Sequence, residues 1–203
     1  MASNDVQATF INPAVADPNG ISEAAAVGNN ANLVIGGALA DGGAVIFDQP
    51  RNITILSAAD DSGISFTVTG TSETGAAQTE SIGGADSGTA TGSKFFATLS
   101  QITAVGDPAG DASAGSGTSI AAPIYQGRMR LRGLYIVNSG TAGTITFRDT
   151  SGTGAIRLQM ATVGSANTNQ YPDVPDDGIV FSSAGYVTYT QTQMSSVTAF
   201  YEG

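Results

Sequence analysis

The chain contains no cysteine, no histidine and no tryptophan, and only 7 of its 203 residues are basic. Each absence closes a route. Without Cys there is no disulfide, and without Cys or His there is no Cys/His zinc site to stabilise a fold. The usual general base and the commonest nucleophile-base pairings are missing as well. Charged residues make up 12%, and the 17 acidic side chains leave a net charge of -10. Such a chain repels a phosphate backbone, which argues against nucleic acid as a partner. No apolar run approaches the roughly 20 residues that span a bilayer, and no charged n-region followed by an apolar h-region opens the sequence. The expectation is a soluble protein with no membrane partner and no secretion signal. The low hydrophobicity of a disordered chain is also missing, since 41% of residues are apolar.

What is present is a period of two. From Arg51 to Gly84 the sequence reads RNITILSAADDSGISFTVTGTSETGAAQTESIGG, with apolar residues alternating with small polar ones. Ile53 and Ile55 point one way, as do Ile64, Phe66 and Val68. The clusters Asp60-Asp61-Ser62-Gly63 and Glu73-Thr74-Gly75 interrupt the runs. Alternation bounded by Asp, Ser and Gly predicts half-buried antiparallel strands joined by tight turns. Further runs recur along the chain: 32–35, 43–47, 52–57, 64–70, 77–82, 94–105, 130–138, 143–148, 155–163, 178–181, 185–190 and 197–201. Gly36-Gly37, Asp48-Gln49-Pro50, Gly83-Gly84 and Ser87-Gly88 separate several of them as turn compositions. The fold class is therefore all-β, with antiparallel β-sandwich or jelly-roll-like modules, two in series.

The modules follow from composition. Residues 1–30 carry Pro13, Pro18, Asn19-Gly20 and Gly28-Asn29-Asn30, and read as an N-terminal arm. A short helical turn at 22–27, capped by Ser22, and an extended arm are both compatible with the sequence. Residues 31–106 form an acidic β module. The stretch DPAGDASAGSGT at 107–118 loses every large apolar residue and reads as a linker. Residues 119–203 form the C-terminal β module. Charge divides unevenly: before residue 120 Arg51 and Lys94 face twelve acids, whereas after it five arginines face five acids. The acidic part should face water, and the neutral part is the better surface for another protein.

Carboxylate chemistry is the one catalytic option left, as two acids suffice for glycoside hydrolysis. The obvious pairs, Asp60-Asp61 and Asp176-Asp177, sit beside glycine in turns, where solvated turn acids are the simpler reading. Asp173, Asp176 and Asp177 could offer oxygens to Ca²⁺, but they lack the alternating order of a calcium loop, and a turn before Gly178 accounts for them equally well. Gly88-Thr-Ala-Thr-Gly92-Ser-Lys94 resembles a phosphate loop only faintly, because the glycine spacing is wrong. No catalytic residue, cofactor or metal is assigned. Arg128, Arg130 and Arg132 alternate with Met129 and Leu131, which on a strand sends the guanidinium groups to one face. They are the candidate protein-contact residues, pairing with carboxylates between subunits or domains; a solvated strand face is the alternative. Phe95-Phe96 and Phe200-Tyr201 could likewise be contact anchors, but one member of each pair is most simply core.

The order of strands and turns in 32–106 resembles a module of tailed-bacteriophage virion proteins. It has a Gly-rich strand, the aromatic-Asp-x-Pro-Arg turn at 47–51, Asp-Ser-Gly, a strand ending in Thr-Gly-Thr, and a Lys/Phe strand. RLRGLYIVNSGTAGTITFRD, VPDDGIVFSSAGYVTYTQ and VTAFYEG look similar to a second module of phage head and tail proteins. The resemblance implies a particle component without saying which one; the expectation is a protein without enzymatic activity, made in the host cytoplasm and placed on the capsid exterior. The leading expectation is a capsid decoration, or cement, protein that forms a homotrimer and binds the major capsid protein. The alternative is a tail or fibre component acting in tail assembly or touching host glycans through tyrosines such as Tyr171, Tyr186 and Tyr189.

Overall fold

Residues 5–203 are described by a computed structural model of the chain. Among them no helix occurs, and all strand pairing is antiparallel. The strands are β1 (Gln7–Ile11), β2 (Ser22–Ala26), β3 (Ala40–Asp41), β4 (Ala44–Ser57), β5 (Ser65–Ser72) and β6 (Ala77–Gly83). They continue as β7 (Thr89–Thr91), β8 (Phe96–Val105), β9 (Asp111–Tyr125), β10 (Met129–Asn138) and β11 (Gly143–Asp149). The last are β12 (Ile156–Thr162), β13 (Asn169–Gln170), β14 (Ile179–Phe181), β15 (Gly185–Thr190) and β16 (Met194–Glu202). Two compact units result, one of Val15–Thr118 and one of Met1–Ala14 with Ser119–Gly203.

In the 15–118 unit the strand order is β9-β4-β8-β5-β6, with β2 on the other edge of β9 and β3 and β7 on β4. The period-two ladder does what alternation requires. Ile53, Ile55, Phe66 and Val68 are fully buried in one apolar cluster with Phe96, Leu99 and Ile102. Each such side chain contributes about 2 kcal/mol by leaving water. β5 runs in unbroken register with β6, from Ser65 opposite Gly83 to Thr71 opposite Ala77.

In the other unit two sheets enclose a second apolar cluster, the arrangement of a β-sandwich. One sheet has the order β1-β16-β10-β13, with β14 also on β10, and the other runs β12-β11-β15 to the 119–125 half of β9. Ile11, Leu131, Ile136, Val197 and Ala199 from the first meet Ile120, Ala122, Ile145, Phe147 and Val187 from the second.

Four expectations need correction. The 107–118 segment is not a linker beyond its first residues, because Asp111–Thr118 is the first half of β9. Residues 112–117 are all buried. Their small side chains reflect close packing: a Cβ at Gly115 would collide with the carbonyl groups of Asp17 and Pro18, and one at Gly117 with the Asn52 side chain. The Ser116 amide donates to the Asp17 carbonyl at 2.8 Å, and its hydroxyl accepts from the Asp17 amide at 2.9 Å. Small residues are what let two backbones bond at this separation.

The second correction concerns the arm at 1–30. Its described part supplies two strands: β1 pairs with β16, and β2, where a helical turn was one option, pairs with β9. Residues 1–4 lie outside the described residues. Third, 32–35 is not a strand beyond an isolated bridge from Asn32 to Thr103. Fourth, Asp48-Gln49-Pro50 is a bulge within β4 and not a turn. β4 advances from Ile46 to Arg51 while β8 advances only from Thr98 to Phe96, and a bulge is where a strand accommodates proline. Arg51, only 2% exposed, braces the bulge by an ion pair to Asp48 at 2.7 Å and by lying over the Phe47 ring at 5.9 Å.

The close approach at β9 gives a direct test. Gly115→Val should lower stability by at least about 3 kcal/mol, the upper end of overpacking costs. Thr118→Val, at an exposed position of the same strand, should stay within about 0.5 kcal/mol. Urea unfolding midpoints distinguish the two outcomes.

Candidate functional site

The three arginines are divided by the backbone. Arg128 is exposed in the bend before β10, and Arg130 lies on the strand. The register shift between Leu131 and Gly133 makes Arg132 the extra residue of a bulge. Both strand arginines close the loop that follows β13: Arg130 Nη1 donates to the Asp177 carbonyl and Arg132 Nη1 to the Asp176 carbonyl, each at 2.6 Å. Arg132 Nε also pairs with Glu202 Oε1 at 3.4 Å, with both side chains partly exposed. Two of the three guanidinium groups thus hold a turn of their own chain.

The turn acids are placed just as specifically. Asp60 accepts from the Ser62 hydroxyl at 2.6 Å and from its amide at 3.1 Å, and these bonds hold its carboxyl below the usual range. Asp61 is buried, and its Oδ1 accepts from the Ala109 amide at 2.8 Å, which pins the turn before β9. Asp176 and Asp177 are exposed. Among the described residues no three acidic, His or Cys side chains gather as a metal site. The phosphate-loop lookalike has its amides occupied by the chain's own carboxylate. Glu80 Oε1 accepts from the Ser93 amide at 2.6 Å, the Ser93 hydroxyl at 2.9 Å and the Lys94 amide at 3.2 Å.

The most strongly held acid was not among the sequence candidates. Asp149, at the end of β11, has a side chain 2% exposed. Its Oδ2 accepts from Arg157 Nη2 and the Ser182 hydroxyl, both at 2.6 Å, and from the Ser182 amide at 3.0 Å; Oδ1 accepts from the Ser183 amide at 3.1 Å. Burial pushes this carboxyl up, but the Ser182, Arg157 and Ser183 donors outweigh it and hold the group well below the ordinary carboxylate range. Every bond joins β11 to β12 or to the turn before β15, so the role is structural. A serine pair 33 residues downstream leaves no spacing signal in the sequence.

What remains open to a partner is a sheet face. On β1, β16 and β10, residues that alternate with the core set point outward. Ala8 lies opposite Phe200 and Phe200 opposite Gly133; in the next row Phe10 lies opposite Thr198 and Thr198 opposite Tyr135. Phe10 is 64% exposed and Phe200 38%. Tyr171, 73% exposed, adds a ring 4.9 Å from that of Tyr135. Sequence reading found Tyr171 and the Phe200-Tyr201 split, in which Tyr201 is buried, but missed Phe10 and Tyr135. Tyr186 and Tyr189 are corrected: both are buried on β15, Tyr189 within the apolar cluster of its unit and Tyr186 with its hydroxyl accepting from Gln126 Nε2 at 2.7 Å.

No protein-family model matches the chain, and no curated protein matches it.

Asp149→Asn should cost on the order of 3 kcal/mol, because it breaks a buried, multiply bonded charge. Arg157→Gln, with its side chain 41% exposed, should cost about 1 kcal/mol. The carboxyl's folded pKa lies below its unfolded value of 3.8, so its contribution is complete above that value and is lost as pH falls through the folded one. The stability gap between wild type and Asp149→Asn, read from thermal melts, should therefore be constant at neutral pH and narrow on acidification below the unfolded value.

Proposed function

We propose that the chain is a structural component of a tailed-phage particle, a decoration protein that binds across major capsid subunits on the outside of the head. The observation that carries this reading is the contrast between its surfaces. Buried charges at Arg51 and Asp149 are committed to the chain's own bulge and strand ends, while an uncharged aromatic sheet face stays exposed. The turn carboxylates are bonded to neighbouring amides or stand in solvent, which supports a role without catalysis. A rigid β scaffold with an apolar face and an acidic unit suits a protein that works by contact. Binding to the assembled shell in preference to released subunits raises the free energy of shell opening by mass action. The 15–118 unit, with eleven acids against Arg51 and Lys94, is the natural water-facing part.

A tail or fibre component is favoured by one feature, the exposed Tyr171 ring beside Tyr135, since aromatic faces stack on sugars. Mass-spectrometric stoichiometry of purified particles separates the two. Head copy number, with earlier genome release on heating when the protein is missing, is the expected result. Tail copy number, or unchanged head stability, overturns the decoration reading.

A further inference from the structure

The outward face of β1, β16 and β10 carries a pattern beyond mere exposure. Its first row reads small, large, small across the strands: Ala8, Phe200, Gly133. The second reads large, small, large: Phe10, Thr198, Tyr135. Large and small side chains therefore alternate along both axes of the patch. Beside Phe200 the Gly133 position is a shallow hollow, since a Cβ there would stand 3.6 Å from that ring, in ordinary contact.

A checkerboard of this kind is complementary to itself. A second copy turned about a two-fold axis that lies in the interface, across the strands and between the two rows, sets Phe10 over Ala8, Phe200 over Thr198 and Tyr135 over Gly133, as facing layers interdigitate in a core. Charge points to the same occupant. The 15–118 unit resists approach by its own kind, with eleven acids against two basic residues, whereas the unit that bears the face has six acids against five arginines. The two rows hold no charge, and at their end Arg130 lies opposite Glu202, which also pairs with Arg132. That edge lies outside the two rows that meet, so the contact buries no charge, and the same patch faces itself, as an isologous contact requires.

We propose that this face is a two-fold interface with a second copy of the chain, closed by Phe10, Phe200 and Tyr135 seated against Ala8, Gly133 and Thr198. The contact is one of the purified chain; it uses the face that the decoration reading offers to the capsid, so the two are alternative uses of one surface, tested separately by sedimentation and by particle stoichiometry.

Sedimentation velocity of the full chain over a concentration series tests it, with circular dichroism and melting to establish that each variant folds. Wild type should run at twice the monomer mass, and Phe10→Glu and Tyr135→Glu should shift it to the monomer. Gly133→Leu, which fills the hollow without entering the core, should do the same. Ile46→Glu, which removes an apolar side chain 82% exposed on the other unit, should leave the dimer intact. A wild-type monomer at every concentration, a trimer, or a dimer untouched by the face variants overturns the proposal. So does a monomer whose Tyr135 and Tyr171 ring resonances move on addition of cello-, chito- or malto-oligosaccharides, which would assign the face to sugar.

Discussion

The 15–118 unit depends on two backbones lying closer together than side chains would permit. β9 reaches the Asp17-Pro18 segment at Gly115 and the Asn52 side chain at Gly117, and through these approaches it carries β2 on one edge and β4 on the other. Backbone hydrogen bonds do the joining: the Ile21 amide donates to the Ala114 carbonyl, and the Ala58 amide to the Asp111 carbonyl. A strand with bulkier residues would offer more apolar area to the core but could not sit between such neighbours. Here tight packing supplies what side-chain burial supplies at β5 and β8.

Charge is used sparingly and in two distinct ways. Inside, single charges are bonded closely enough to offset their desolvation, as at Asp149 with its serine and arginine donors and at Arg51 in the β4 bulge. Outside, acids such as Asp60 and Glu80 organise their own loops by accepting from nearby amides. The arginines read as contact residues are partly drawn into the same work, since Arg130 and Arg132 hold the carbonyls of Asp177 and Asp176. Surface recognition is thereby left to rings and small side chains.

Much of this fold was legible wherever one sheet face is buried and the other is wet. Alternation located β5, β6, β8, β10, β11, β15 and β16 to within a few residues, because the pattern and the burial share a period of two. It failed where that condition fails. β9 is buried on both faces through residues 112–117 and has no large side chains to report it, so composition mimicked a linker. β1 and β2 are short edge strands fixed by partners far along the chain, and nothing local marks them. Pro50 and Asp48 carried a turn vocabulary that a long strand absorbed as a bulge. At the candidate face Tyr171 was visible as a lone ring, but the rows joining Phe10, Phe200 and Tyr135 exist only through the pairing of β1, β16 and β10.

The pairing of β1 with β16 also sets an order of events. Thr9 and Tyr201, whose hydroxyl groups lie 3.4 Å apart, are separated by 192 residues. A ribosome working at about 5–20 residues per second makes β1 on the order of ten seconds or more before its partner strand exists. The 15–118 unit is contiguous and can close during that interval. The sandwich must wait, with Ile11 unprotected, until β16 has been synthesised, so its last edge forms only after translation has passed residue 201.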